Sequence, residues 1–101
     1  MNYDEFLACH AWLRRRFKAA TDQRHGHPGN EWEEYERVEL AIAANSWADS
    51  HGLGKTVTRD DIEAIEGQAI GHVDYASKLC LYTAELLYDR HVGHALPTVK
   101  A

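Results

Sequence analysis

At 101 residues, with 45% hydrophobic and 27% charged side chains, the chain is sized and composed for one globular domain, which argues against disorder as its ground state. A formal net charge of −5 argues against sequence-independent binding to a phosphate backbone, so a nucleic-acid partner is not expected. No run approaches the ~20 apolar residues of a membrane span, and the acidic start Asn2-Tyr3-Asp4-Glu5 lacks the basic residues of a signal peptide, so a cytoplasmic protein is expected.

Taken in chain order, the first periodic segment is 3–21. Tyr3, Phe6, His10, Leu13, Phe17 and Ala20 recur at three- and four-residue steps and predict an amphipathic helix. It has to end before Arg24-His25-Gly26-His27-Pro28-Gly29-Asn30, where Gly and Pro break the pattern. A second helix is predicted over 30–51, with Asn30 as N-cap, glutamates in its first turns and Gly52 as its stop. This helix is apolar on two sides. Tyr35, Val38 and Ile42 lie together, and Leu40, Ala44 and Trp47 lie roughly opposite, so one side is expected to face another molecule. Leu40, Ala44 and Trp47 are the residues expected at that contact, with a second copy of the chain or with another protein.

After a loop over 53–57, Thr58-Arg59-Asp60-Asp61 forms a capping-box pattern with Asp61 in place of the usual Glu. The segment it opens, 59–90, carries Ile62, Ile65, Ala69, Val73, Ala76, Cys80, Thr83 and Leu87 on a near-heptad stripe. Gly67 and Gly71 interrupt it at a cost of about 2 kcal/mol against Ala. Because the stripe keeps its phase, a continuous or kinked helix is expected, with the two glycines as a strip of close helix packing; a break near Gly71-His72 is the alternative. The tail 91–101, with Gly93 and Pro97, has no period and is expected to be mobile. The sum is an all-α bundle of three to four helices, one domain over 1–90 and a tail.

Chemistry-bearing residues are few. His25-x-His27 and His91-x-x-His94 are the close histidine pairs, and neither has the four-ligand spacing of structural zinc. His10 falls on a core stripe, Asn45 on an apolar face and His72 beside the long stripe, so a buried polar cluster of His10, Asn45 and His72 is expected, structural by default. Cys9 and Cys80 sit inside helical patterns and read as buried thiols, with a disulfide as the alternative. Gly52-Leu-Gly54-Lys55-Thr56 ends like a P-loop, but its first Gly is misplaced and no strand precedes it. Arg14, Arg15 and Arg16 fan over about 200° of a helix, so they cannot all serve one face; Trp12, Arg15 and Arg16 are expected to meet an acidic partner surface.

Two resemblances add to this. Glu33/Glu36 (or Glu36/Glu39) and Glu85/Asp89 are helical carboxylate pairs that resemble those of MazG-type all-α nucleoside triphosphate pyrophosphohydrolases, which implies Mg²⁺ between two helices. The Glu85/Asp89 spacing is one residue longer than in that family, and a solvated acidic helix start explains the glutamates without a metal. The block Gly71-His-Val-Asp-Tyr-Ala-Ser-Lys-Leu-Cys-Leu-Tyr-Thr-Ala-Glu-Leu86 resembles small helical proteins of phages and prophages. That resemblance implies action in a host cytoplasm by binding a host or defence protein, as anti-CRISPR and host-takeover proteins do. With no nucleophile or cofactor fingerprint, the expected function is therefore non-enzymatic protein binding, without cofactor and with self-association. Mg²⁺-dependent nucleotide hydrolysis and nucleic-acid regulation through Arg14–Lys18 are the alternatives.

Overall fold

Two capping boxes set the starts of two helices. Asn2 accepts from the Glu5 amide while the Glu5 carboxylate accepts from the Asn2 amide, both at 2.8 Å, and this opens α1, Tyr3–Arg16. Asp4 and Glu5 in its first turn and Arg14, Arg15 and Arg16 in its last both complement the helix dipole. The computed structural model describes residues 1–17, 34–70 and 74–95; of the predicted first helix, residues 18–21 lie outside them.

α2 is Glu34–Ser50, and the Asn30 cap predicted for it lies outside the described residues. It stops where predicted. Gly52 takes φ of 75°, the Gly52 amide donates to the Asp49 carbonyl and the Leu53 amide to the Ala48 carbonyl. This crossed pair is a Schellman closure, and the half-buried Leu53 covers it. In the following loop the Asn45 side chain pairs with the Val57 backbone in both directions, at 2.7 and 2.9 Å, pinning the loop to α2. The Thr58/Asp61 box then opens α3, Arg59–Ala69.

The predicted long helix is broken, not continuous. Ile70 leaves helical backbone with φ −58° and ψ 131°, and the chain resumes as α4, Tyr75–Ala95. Cross-contacts show why. Asp61 at the start of α3 binds Arg90 late in α4, while Glu66 late in α3 binds Tyr75 at the start of α4. α3 and α4 therefore run antiparallel as a hairpin, a geometry that one unbroken helix could not adopt. α4 also runs five residues past its predicted end, so His91–Ala95 is helix where a tail was expected.

Among the described residues there are four helices and no strand, and α2 touches α1, α3 and α4. Cys9 and Leu13 of α1, Ile62 and Ala69 of α3, and Ala76, Leu79, Cys80 and Leu87 of α4 are fully buried. On α4 the predicted positions 76, 80, 83 and 87 all face inward, and the Thr83 hydroxyl is satisfied by the Leu79 carbonyl at 2.7 Å. Cys9 and Cys80 are free buried thiols, and burial pushes both up to about 12. None of the described helices is long and apolar enough to cross a membrane.

Gly67 overturns the packing expectation. A Cβ built there meets nothing within 4 Å, so the glycine lines no close helix contact among the described residues, and Gly71 lies outside them. Gly67→Ala is therefore expected to stabilise the fold by about 0.5–1 kcal/mol, through helix propensity and a less flexible unfolded chain. Urea unfolding checks this: the midpoint should rise at unchanged slope.

Candidate functional site

The expected partner face of α2 is inside the protein. Leu40 and Ala44 are completely buried and Trp47 nearly so. Alanines at 41, 43, 44 and 48 make this side small enough for three helices to close on it. The face left in solvent is the other one, where Tyr35, Val38 and Ile42 are 58%, 39% and 60% exposed. A shallow groove lined by Ile42, Asn45, Ser46, Asp49 and Lys55 continues this stripe towards the α2–α3 loop.

The expected polar cluster does not form as drawn. Asn45 is committed to Val57, His72 lies outside the described residues, and His10 is half-buried on α1. Desolvation, and then the nearby Arg14 charge, push the His10 imidazole below its ordinary pKa, and its Nε2 is buried with no hydrogen-bond partner among the described residues. The buried polar centre is a different one. The Glu66 carboxylate receives Arg37 in a two-pronged contact, Nε at 2.8 Å and Nη2 at 3.2 Å, and accepts a short hydrogen bond from the Tyr75 hydroxyl. This joins α2, α3 and α4. It was findable: Glu66 is four residues after Ile62 and three before Ala69, on the same buried stripe.

Outside it, Arg59 holds Glu34, Asp60 and Glu63, and Arg90 grips Asp61 by both nitrogens at 2.9 Å while reaching the Thr56 carbonyl. These ties fasten α3 to its neighbours. The carboxylate pairs proposed for Mg²⁺ do not assemble among the described residues. Glu33 lies outside them, Glu36 is buried on α2, and Glu85 and Asp89 are exposed on α4. No three His, Cys, Asp or Glu side chains of the described set group as metal ligands.

Two surfaces on α1 remain. Near its C-terminal end Trp12, Arg15 and Arg16 line one shallow concavity, with the Arg16 guanidinium 5.8 Å from the Trp12 ring centre. Arg14 is not part of that lining, and its charge acts on His10 and Cys80. Near its N-terminal end, Phe6 links Tyr3 to Tyr88 of α4, with ring centres 5.7 Å (Tyr3 to Phe6) and 5.5 Å (Phe6 to Tyr88) apart. Glu85 and Asp89 complete the lining of a cleft there of about 420 Å³. Sequence periodicity placed Tyr3 and Phe6 on a core stripe; Phe6 does pack against the core, whereas Tyr3 is left exposed at the first turn of α1. No known protein family matches the chain, and comparison with curated proteins and solved structures finds no similar one.

Proposed function

We propose that the protein is a non-enzymatic binding module that engages another protein through its helix surfaces. The observation that carries this reading is the Tyr35, Val38 and Ile42 stripe, large apolar side chains left in water on a helix whose other side is already buried. At ~25 cal/mol per Å² such a stripe gains by being covered, and Tyr beside aliphatic residues is the composition of an interface centre. The likeness of the Gly71–Leu86 block to phage and prophage proteins makes a host or defence component the first class of partner to test, with self-association as the form the same stripe would take without one.

The test is capture from a host lysate by the wild-type chain and by Val38→Lys with Ile42→Lys. Both positions are exposed, so the variant should melt within a degree or two of wild type. Loss of specific capture is expected in the variant, and a monomer mass by light scattering where the wild type self-associates. Undiminished capture would remove the stripe from the reading. A melting temperature raised by Mg²⁺ with a nucleoside triphosphate would replace the reading with the hydrolase, since a ligand of the native state stabilises by mass action.

A further inference from the structure

The cleft between the start of α1 and the second half of α4 combines two kinds of lining. Phe6 meets Tyr3 on one side and Tyr88 on the other with tilted rings, and Glu85 and Asp89 stand one helical turn apart on the same side of α4. Neither carboxylate has an ion-pair partner among the described residues. The neighbouring cation, Arg90, is spent on Asp61 and the Thr56 carbonyl. Two like charges at i, i+4 repel, so this pair gains from a cation that no described residue supplies. Asp4, exposed on the first turn of α1, adds to the negative field at this end.

The chemistry of the lining selects the kind of cation. Mg²⁺ gives up its water reluctantly and wants an octahedron of oxygens, which aromatic walls do not offer. A guanidinium is weakly hydrated, stacks on ring faces and takes carboxylates edge-on. Tyr3 is 61% exposed and both carboxylates are exposed, so the cleft is open. An open cleft suits a side chain presented by a larger molecule better than an enclosed small ligand.

We infer that this cleft is a receptor for an arginine side chain of a protein partner, its guanidinium lying against Tyr3, Phe6 and Tyr88 and pairing with Glu85 and Asp89. The inference rests on the protein-binding reading but uses a different surface from the α2 stripe.

It is tested by NMR titration of the full chain with a short blocked peptide carrying one arginine, with its neutral citrulline counterpart, and with spermidine. The arginine peptide is expected to shift the Tyr3, Phe6 and Tyr88 ring signals saturably and the citrulline peptide to leave them in place. Glu85→Gln with Asp89→Asn should weaken binding about three- to tenfold, and Tyr3→Leu about threefold, with the helical circular dichroism unchanged in both. Equal shifts from the citrulline peptide, no shift from either peptide, shifts from spermidine alone, or full affinity in the carboxylate variant would each overturn the assignment. Lysate capture that depends on Val38 and Ile42 would survive any of these, so failure of the cleft and failure of the protein-binding reading are separable.

Discussion

Glu66→Ala is expected to destabilise the protein by about 3–5 kcal/mol, the range for breaking a buried ion pair by deleting one partner. The Glu66 side chain is 6% exposed and that of Arg37 19%, so water has little access to what the deletion leaves behind. What is left is a guanidinium whose remaining carboxylate contact among the described residues is Glu34 at 3.4 Å, together with a fully buried Tyr75 ring whose hydroxyl has lost its bond to Glu66. A domain of this size has about 5–15 kcal/mol in total, so the variant should be partly unfolded at physiological temperature. Urea unfolding of Glu66→Ala gives the cost directly. The triple substitution Glu66→Met, Arg37→Met and Tyr75→Phe should recover most of it, because an apolar replacement removes the desolvation along with the attraction. A loss below about 1 kcal/mol in the single variant would show that solvent enters and satisfies Arg37 and Tyr75.

This network also marks where sequence reasoning stopped. Local signals were strong and were obeyed: Gly52 closes α2 in the left-handed region, and Thr58 with Asp61 opens α3. The inward positions of α4 followed from their spacing alone. What periodicity could not supply was the relation between helices. The stripe of 59–90 keeps its phase through the glycines, yet the chain turns back after Ala69, because the antiparallel hairpin lets α3 and α4 bury their stripes against each other. Period gives the angle of a residue around its helix, and a hairpin of two in-phase helices has the same angles as one long helix.

The same limit governed α2. With apolar residues on two sides, the pattern is symmetric, and only the partners decide which side is covered. Ala41, Ala43 and Ala48 flank the Leu40, Ala44 and Trp47 side, and small residues there let helices approach closely. Tyr35, Val38 and Ile42 have Glu39 exposed among them and stay in water. The alanine count, not the size of the apolar side chains, was the better guide. The aromatic cleft was less legible still, since Tyr88 comes from a helix more than seventy residues away from the start of α1 and no local pattern links the two.

Acid is expected to weaken the fold through Asp61. The Arg90 guanidinium bonded to both its oxygens, and the Thr58 amide and hydroxyl beside it, hold the Asp61 carboxyl down at about 2, against an ordinary 3.8, with burial opposing. A carboxyl with a depressed folded-state pKa binds its proton more readily when unfolded, so its contribution is complete above the unfolded value and is lost as pH falls through the folded one. The window is therefore from about pH 5 down to about pH 2. The Asp61 side chain is 23% exposed and Arg90 33%, so screening by solvent reduces the contribution to about 1–2 kcal/mol. Asp61→Asn keeps an acceptor for the Thr58 amide and removes the charge. The difference in stability between wild type and Asp61→Asn, measured by urea unfolding at successive pH values, should be flat above pH 5 and shrink towards zero near pH 2. Arg90→Met should flatten the wild-type curve in the same window, because the depressed carboxyl depends first on that guanidinium. A difference that stayed constant down to pH 2 would mean that Asp61 holds α3 to α4 by hydrogen bonding alone, with no contribution from its charge.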